Sequence, residues 1–483
     1  MLIIKTYIMN LPKIIKIEHP SEDINHLVLV DKIESIPEDR VSKKELNYIS
    51  NNFKNINFFC FNHFDYHIFV AIVDKKGENH IRKEAFRKAG NTATAKFKEL
   101  NIKEIVIEDY SNDNYGLFFA EGIVLSSYNF NKYKTEKKEN FKLENIFILN
   151  DKISQRQIEL MNISCDATFW SRNLLNEPQS ALNSLTLADE FVKMGKEVGA
   201  KVEVLNKRKI ESLKMGGLLA VNMGSQTPPT FTIMEWKPEN AVNEQPYIFV
   251  GKGVVYDTGG VNIKTGDFMT NMHMDMGGAA AASTAFYAIA KAKLPVYVMA
   301  IIPSTDNRPG QNAYTPGDII TMHNGKTVEI LNTDAEGRLI LADALSYAKI
   351  YNPKMVIDLA TLTGAAARAI GKYGIVAMRN EEADLEQLNE SSKNVYERLV
   401  EFPMWEEYDE LIKTDVADIK NLGGVEGGAI TAGKFLQHFV DYPWVHLDIA
   451  GPAMLSSNDS YRTKGGSGVG TRLLFDFINS ISK

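Results

Sequence analysis

Four short apolar segments in the C-terminal part of the chain constrain its fold more than any other feature. They are rich in β-branched residues and apolar on both faces, and they read YIFVG (247–251), VYVMAII (296–302), MVIDLAT (355–361) and WVHLDIA (444–450). Segments with helical spacing, at 277–293 and 338–351, separate most of them. Strands without a polar face that alternate with helices form largely parallel sheets covered by helices on both faces. The pattern therefore predicts an α/β fold with a mostly parallel central sheet.

The N-terminal part has a different pattern, in which short apolar runs alternate with charged stretches. Residues 67–73 and 123–130 are predicted to be strands, and residues 78–100 have helical spacing. The lysine-rich segment 131–140 is predicted to be a solvated loop. A helix from about 153 to 175 is expected to lead into the next domain.

The chain length supports two domains. At 483 residues the chain exceeds the size at which one hydrophobic core usually stops growing. We therefore predict a smaller N-terminal α/β domain at 1–150, a connecting helix and linker at 151–180, and a larger C-terminal α/β catalytic domain at 181–483.

Composition excludes several classes of protein. The formal net charge of −7 argues against a general nucleic-acid binder. Two cysteines, Cys60 and Cys165, provide neither a disulfide framework nor a cysteine-type zinc site. No stretch approaches the roughly 20 apolar residues of a membrane-spanning helix. Lysines interrupt the apolar start of the chain at 1–20, which therefore lacks a signal-peptide pattern. We expect a cytoplasmic protein that makes no membrane contact.

The loops that follow the predicted strands are where a ligand should bind, because open parallel sheets bind ligands beyond the carboxyl ends of their strands. Three such loops lie at 251–281, 361–366 and 451–453, and the segment NTDAEGR (332–338) is predicted to join them. These four segments carry a dense set of ionisable side chains: Lys252, Asp257, Lys264, Asp275, Asp334, Glu336 and Arg338.

Four carboxylates in one crevice repel one another and raise one another's pKa. Two lysines and an arginine offset part of that repulsion, and a pair of divalent cations would offset the rest. Oxygen-rich sites suit magnesium, manganese or zinc. The charge density thus predicts a two-metal site.

Each charged residue also has a purely structural interpretation. Thr333 and Glu336 fit a helix-capping box. Lys252 could cap a loop, Asp257 could form a turn, and Asp275 could start a helix. Arg338 could form a structural ion pair with Asp334. Taken together, these interpretations leave the concentration of charge in the crevice loops unexplained.

Six motifs resemble, in their order and in their spacing, those of the leucyl aminopeptidases, a family of dinuclear-metal exopeptidases. They are VGKGVVYDTGG (250–260), DMGGAAA (275–281), NAYTPGDI (312–319), NTDAEGRL (332–339), GGAITAGKFL (427–436) and GGSGVGTRLL (465–474). The resemblance covers most of residues 160–480. Residues 1–150 are similar to the small α/β domain of the family only in size and position.

The resemblance implies a role for particular residues. The implied metal ligands are Lys252, Asp257, Asp275, Asp334 and Glu336. Lys264 would be the electrophile that stabilises the oxyanion, and Arg338 would anchor a bicarbonate ion that shuttles the proton. The implied substrate-binding residues, for the peptide backbone and the first side chain, are Met272, Asn332, Thr361, Leu362, Gly364, Ala450 and Ala453.

The implied function is a metal-dependent aminopeptidase that removes N-terminal, preferentially apolar residues from peptides through a metal-activated water. Two divalent ions per subunit are expected, zinc or manganese, with magnesium and cobalt as further candidates. The resemblance also implies a homohexamer, built as a dimer of trimers, in the cytosol.

Two other classes of function remain open from the sequence. A binding or regulatory protein could be built on the same fold, although the complete ligand set disfavours it. A different two-metal hydrolase, such as a phosphoesterase, would usually recruit more histidine and would lack the pair Lys252 and Lys264.

Overall fold

The computed structural model describes residues 11–20, 24–54, 57–136 and 141–482. The chain divides into two compact units. The first comprises Met1–Phe169 with Ser457–Thr463, and the second comprises Trp170–Ser456 with Lys464–Lys483. The division falls inside helix α4, Gln155–Asn176, which matches the helix predicted near 153–175.

The described residues of the first unit contain a six-stranded sheet. Its strands are β1 (Lys13–Ile17), β2 (Asn25–Val30), β3 (Phe58–Asn62), β4 (His67–Ile72), β5 (Glu104–Asp109) and β6 (Asn145–Leu149). They lie in the order β1-β6-β5-β2-β4-β3, and only β3 pairs antiparallel to its neighbour within this sheet.

The described residues of the first unit also contain the helices α1 (Lys43–Asn52), α2 (Asn79–Glu99) and α3 (Gly116–Ser126) and the part of α4 before residue 170. The helix predicted at 78–100 is therefore confirmed. The strand predicted at 123–130 is wrong, because most of its apolar part forms the last turns of α3. Within the loop predicted at 131–140, residues 131–136 form turns and coil, and 137–140 lie outside the described residues.

A short C-terminal segment also belongs to the first unit. The hydroxyl of Tyr461 donates a hydrogen bond to Glu84 Oε2 at 2.8 Å, and Arg462 Nη2 lies 2.9 Å from Glu84 Oε1. Both Glu84 and Tyr461 are buried. These polar contacts tie residues 457–463 to α2, which sequence patterns did not predict.

The second unit is built around a nine-stranded sheet. The strands described in this unit are β7 (Lys201–Leu205), β8 (Thr230–Trp236), β9 (Tyr247–Gly251), β10 (Gly253–Asp257), β11 (Val298–Asn307), β12 (Ile319–Thr321), β13 (Thr327–Glu329), β14 (Met355–Ala360), β15 (Ile375–Arg379), β16 (Leu399–Glu401), β17 (Ile419–Lys420), β18 (Trp444–Asp448), β19 (Met454–Leu455) and β20 (Gly465–Gly466). The main sheet runs β16-β15-β18-β14-β9-β11-β8-β7, with β10 paired to β11, and β12-β13-β17 form a small separate sheet.

The centre of the main sheet is parallel, as predicted. Strands β18, β14, β9 and β11 pair parallel to one another, and antiparallel pairs occur on both sides of them. The predicted strands at 247–251, 355–361 and 444–450 appear within one or two residues, and the strand predicted at 296–302 begins at Val298 and continues to Asn307.

Helices cover this sheet. They are α5 (Ser184–Val198), α6 (Lys207–Ser212), α7 (Gly216–Asn222), α8 (Gly277–Lys291), α9 (Glu336–Ala348), α10 (Gly364–Ile370), α11 (Glu386–Val395), α12 (Gly428–Gln437) and α13 (Thr471–Ile481). Both α8 and α9 contact β9 and β14. All residues of β9 are buried, and successive side chains of a strand point to opposite faces. Both faces of the sheet are therefore shielded from water.

The parallel strands bring their carboxyl ends to one edge of the sheet. In the register of β14 with its neighbours, Leu359 lies opposite Gly251 and Ala360 lies opposite Asp448. The loops after β9, β14 and β18 therefore begin side by side, as the sequence predicts. Within the described ranges, every helix is too short or too polar to cross a membrane.

Candidate active site

The five predicted metal ligands lie together at this edge of the sheet. Lys252 follows β9, Asp257 ends β10, and Asp275 comes two residues before α8. Asp334 and Glu336 stand just before and at the first residue of α9. All except Asp334 are buried, and a third of the Asp334 side chain is open to solvent, at 33%.

Two lysines each bridge a pair of carboxylates. Lys252 Nζ lies 2.8 Å from Asp275 Oδ2 and 2.8 Å from Glu336 Oε1. Lys264 Nζ lies 2.8 Å from Asp257 Oδ2 and 2.5 Å from Asp334 Oδ1. Four acidic groups thus share two ammonium groups, and the cluster has an excess of negative charge.

Three of the carboxylates are close enough to hold one ion. Oxygen atoms of Asp257, Asp334 and Glu336 lie within 4.8 Å of one another. The donor set consists of carboxylate oxygens and one lysine nitrogen, which suits hard or borderline divalent cations. The arrangement therefore fits a metal site.

The pKa values of the acidic groups reflect this crowding. Burial raises the pKa of Asp257 well above its ordinary value, and the charges of Glu336 and Asp275 raise it further. Burial also raises the pKa of Asp275 to about 7, although Lys252 opposes the shift. The pKa of Asp334 is raised by burial and by Glu336. Additional positive charge is therefore needed to keep the whole cluster ionised near neutral pH.

The two lysines show the reverse effect. Burial lowers the pKa of Lys252, but the charges of Asp275 and Glu336 outweigh it and hold that pKa above its ordinary value. The pKa of Lys264 is likewise raised, because nearby Asp257 and Glu336 overcome the effect of burial. Without metal ions, both lysines are therefore counterions of the carboxylates.

The segment that carries Asp334 does not form a capping box with α9. The residue before α9 is Ala335, and among the described residues no side chain caps that end of the helix. Thr333 Oγ1 instead donates to the carbonyl oxygen of Gly259 at 2.6 Å and accepts from the N–H of Asn262 at 3.0 Å. The capping interpretation is wrong, because contacts to the loop after β10 occupy the Thr333 hydroxyl.

Asn307, at the end of β11, orients Asp257. Its Nδ2 donates to Asp257 Oδ1 at 2.8 Å and to the carbonyl oxygen of Thr333 at 2.9 Å. The N–H of Gly259 donates to the same Asp257 oxygen at 2.8 Å. These two bonds leave Asp257 Oδ2 facing Lys264. Asn307 also ties the loop of Asp257 to the segment before α9.

Arg338 is the third residue of α9 and is almost fully buried. Its Nη1 donates to the carbonyl oxygen of Asn421 at 2.8 Å, so the guanidinium is held by a backbone group. Its Nε is buried without a hydrogen-bond partner among the described residues. Burial lowers the pKa of Arg338 to about 10, against the opposing charges of Glu336 and Asp448. A buried cationic N–H without a partner fits an anionic ligand.

Comparison with known proteins identifies the family. A model of the cytosol aminopeptidase family, catalytic domain, matches residues 169–475, and a model of the N-terminal domain of the same family matches residues 69–137. The chain belongs to the cytosol aminopeptidase family.

Individual relatives agree with this assignment. A probable cytosol aminopeptidase of Chlorobaculum parvum is 42% identical over 427 residues, which cover 83% of this chain and 84% of the relative. One from Aquifex aeolicus is 40% identical over 422 residues, covering 86% and 85%.

Solved structures of the same fold are also similar. A tomato leucine aminopeptidase mutant superimposes with a TM-score of 0.84 at 28% identity, covering 97% of this chain and 96% of that one. The bottromycin maturation enzyme BotP in complex with Mn superimposes with a TM-score of 0.84 at 25% identity, covering 96% and 100%. As a member of the cytosol aminopeptidase family, the protein is a metal-dependent hydrolase of the aminopeptidase class.

Two of the predicted substrate-binding residues of this aminopeptidase lie on loops next to the cluster. Thr361 Oγ1 donates to Asp275 Oδ1 at 2.7 Å, and the Thr361 carbonyl oxygen accepts from Lys252 Nζ at 3.2 Å. Asn332 Oδ1 accepts from the N–H of Asp334 at 2.8 Å. Thr361 and Asn332 therefore contact the predicted metal ligands directly.

The other predicted substrate-binding residues are more dispersed. Asp448 Oδ1 accepts from the N–H of Leu362 at 3.2 Å and from that of Ala450 at 3.1 Å, so one carboxylate joins their two loops. Ala453 is buried, and a Cβ placed on Gly277 would lie 3.7 Å from its methyl group. Gly364 begins α10, and Met272 begins the short 3-10 helix Met272–Met274 that precedes Asp275.

Three residues that support the site were missed in the sequence. Asn307, Asn421 and Asp448 are buried polar residues at or just after the ends of strands. Their position at carboxyl ends of strands is a signal that could have singled them out. Most of their hydrogen-bond partners are distant in the sequence and could not have been predicted from it.

Proposed function

We propose that this member of the family is a two-metal aminopeptidase whose ligands are Lys252, Asp257, Asp275, Asp334 and Glu336. The observation that carries the proposal is that oxygen atoms of Asp257, Asp334 and Glu336 lie within 4.8 Å of one another in a largely buried cluster with excess negative charge. When bound, two divalent ions, zinc or manganese with magnesium and cobalt as further candidates, would supply Lewis acidity and a water of lowered pKa. Lys252 would bind through an unprotonated Nζ, a state that the added positive charge favours.

Lys264 would stabilise the oxyanion that develops on the scissile carbonyl. Its ammonium group lies between Asp257 and Asp334 and its pKa is raised, so it stays protonated at neutral pH. A fixed cation aimed at developing negative charge lowers the barrier of acyl transfer. The position of Lys264 at the rim of the cluster supports this role, since its side chain is 14% exposed, against 3% for Lys252.

Arg338 would hold a bicarbonate ion. One N–H of the guanidinium donates to the carbonyl oxygen of Asn421, which holds the group in place. Its buried Nε has no hydrogen-bond partner among the described residues and is therefore available to a ligand. When bound there, bicarbonate would supply acid–base chemistry for proton transfer to the leaving amine.

The substrate would lie along the loops after β14 and β18. Asn332, Thr361, Leu362 and Gly364 would hold the peptide backbone. Met272, Ala450 and Ala453, with Thr361 and Gly364, would line the pocket for the first side chain. The small and apolar character of these residues favours an apolar N-terminal residue.

We also propose a domain organisation, a cellular location and an oligomeric state for the protein. Residues 181–483 would form the catalytic domain, linked through 151–180 to an N-terminal domain at 1–150. A cytoplasmic location is supported by the names of the relatives, which are called cytosol aminopeptidases. The homohexamer rests on the resemblance to the family alone.

Activity of the metal-free protein, reloaded with one divalent ion at a time, tests the proposal. We expect hydrolysis of leucine p-nitroanilide to return with manganese or zinc, and the N-acetylated anilide and p-nitrophenyl phosphate to remain uncleaved. Cleavage of the phosphate ester instead of the anilide would favour a phosphoesterase and refute the proposal.

A pair of variants locates the activity in the cluster. Glu336→Ala should abolish hydrolysis with the fold intact. Glu397 provides a control, because it is a buried carboxylate outside the cluster. It accepts a hydrogen bond from the N–H of Gly470 at 2.8 Å and lies 3.3 Å from Arg472 Nε. Glu397→Gln should retain activity in the fraction that folds. Near-normal turnover of Glu336→Ala would contradict the ligand assignment.

A further inference from the structure

We propose that Asn421 is a positioning residue that fixes the spacing between the Asp334 segment and the guanidinium of Arg338. The inference rests on the proposed roles of Asp334 and Arg338 and adds a residue to which no role in the reaction has been assigned above. Asn421 follows β17 directly and its exposed fraction is 0%.

The side chain of Asn421 clamps the backbone just before Asp334. Its Oδ1 accepts from the N–H of Leu331 at 2.8 Å and, more weakly, from that of Asn332 at 3.4 Å. Its Nδ2 donates to the carbonyl oxygen of Asn332 at 2.8 Å. Residues 331–335 form neither helix nor strand, so their backbone groups need partners from elsewhere in the chain. An amide supplies both a donor and an acceptor, which a carboxylate cannot do.

The backbone of Asn421 holds the other end of the site. Its carbonyl oxygen accepts from Arg338 Nη1 at 2.8 Å. Its own N–H donates to the carbonyl oxygen of Glu329 at 2.9 Å, which extends the pairing of β17 with β13. The residue is therefore held at two points, by the small sheet through its N–H and by the 331–332 backbone through its side chain.

Asn421 takes part in two series of hydrogen bonds, one toward Asp334 and one to Arg338. On one side, Asn421 holds Asn332, whose Oδ1 accepts from the N–H of Asp334 at 2.8 Å. On the other side, it holds the guanidinium whose Nε remains buried and unpartnered in the described structure. Loss of the amide would release the 331–334 backbone and let the Asn421 carbonyl move away from Arg338. Both the metal side and the anion side of the site would then be displaced together.

Asn380 offers a matched control. It is a similar double clamp, in which Oδ1 accepts from the N–H of Trp444 at 3.0 Å and Nδ2 donates to the carbonyl oxygen of Tyr442 at 2.8 Å. Trp444 is the first residue of β18, so this clamp lies at the opposite end of the strand from the site. Removing either amide removes the same kinds of hydrogen bond, so both substitutions should lower stability. The loss should be larger for Asn421, which is fully buried, than for Asn380, which is only partly buried.

The experiment compares Asn421→Ala and Asn380→Ala in the full chain loaded with manganese. We expect both to lower the melting temperature, Asn421→Ala by more than Asn380→Ala. Only Asn421→Ala should lower kcat, by roughly 10–100-fold with a smaller change in KM, as the loss of groups that orient ligands typically does. Titration calorimetry with bicarbonate should show weaker binding to Asn421→Ala by a factor of about 10, and unchanged binding to Asn380→Ala.

Each outcome decides the proposal. Equal kcat and equal bicarbonate affinity in the two folded variants would overturn it and leave the proposed function intact. If the unsubstituted protein neither hydrolyses the anilide nor binds bicarbonate, both the role of Asn421 and the proposed function are refuted. If Asn421→Ala does not fold, Asn421→Ser, which keeps a buried hydroxyl, supports the same comparison, and wild-type kinetics for that variant would overturn the proposal.

Discussion

Gly337 and Lys252 lie so close that a single added carbon would displace the lysine. A Cβ on Gly337 would stand 2.6 Å from Lys252 Cε and 2.7 Å from its Nζ. Lys252 is buried and bonded to Asp275 and Glu336, so its side chain has little room to move. The glycine that follows Glu336 is therefore required by the approach of Lys252 to the first turn of α9.

Gly337→Ala should consequently inactivate the enzyme without unfolding it. Alanine favours a helix over glycine by about 1 kcal/mol, which offsets part of the steric cost. Displacement of the lysine by about 1 Å should lower kcat by roughly 100-fold. Steady-state kinetics with leucine p-nitroanilide, together with a melting curve, measure the two effects. A fully active Gly337→Ala enzyme would mean that Lys252 does not need its present position.

Asn307→Ala should weaken metal binding. The substitution removes the Nδ2 bonds that orient Asp257 and hold the Thr333 carbonyl. Loss of a group that orients a ligand costs roughly 10–100-fold in metal affinity or activity. Titration of the metal-free variant with manganese measures the loss, and Asn380→Ala serves as the control for removal of an amide elsewhere. Unchanged manganese affinity would show that Asp257 keeps its orientation without Asn307.

Asp343 gives a prediction about stability and pH. It is fully buried in α9, accepts from the N–H groups of Leu218 and His323, and burial raises its pKa to about 7. A carboxyl group whose pKa is higher in the folded state holds its proton more tightly there than in the unfolded chain. Its contribution to stability is therefore largest at low pH and decreases as pH rises from the unfolded value near 4 to about 7.

We expect melting temperatures of the wild type to show this decrease between pH 5 and pH 7.5, and Asp343→Asn to show less of it. The measurement is a series of thermal melts of both proteins in one buffer system. Parallel curves for the two proteins would mean that Asp343 stays ionised in the folded state.

Much of the fold could be predicted because the composition of the central strands shows that both of their faces are buried. Strands β9, β14 and β18 are short and apolar on both faces, which leaves few alternatives to a covered parallel sheet. The failure at 123–130 has the same origin. Residues Ile123, Val124 and Leu125 are buried on every side of α3, so no polar face marked the helical period.

The charged part of the site was predictable and its support was not. Asp257, Asp275, Asp334 and Glu336 were identified by their density in loops at one edge of the sheet. The functions of Asn307 and Asn421 depend on backbone groups that lie 26 and 89 residues away in the chain. The capping-box motif at Thr333 was misleading because the Thr333 hydroxyl donates its hydrogen bond to the carbonyl oxygen of Gly259, which is distant in the sequence.

The number of metal ions that the chain binds is the decisive measurement. Elemental analysis and calorimetric titration of the metal-free protein with manganese should give two ions per chain. Asp257→Asn and Glu336→Gln should each remove at least one of them while the melting curve of the metal-free protein stays cooperative. A protein that binds no divalent ion, or whose binding is unchanged by both substitutions, would contradict the assignment of the acidic cluster as a metal centre.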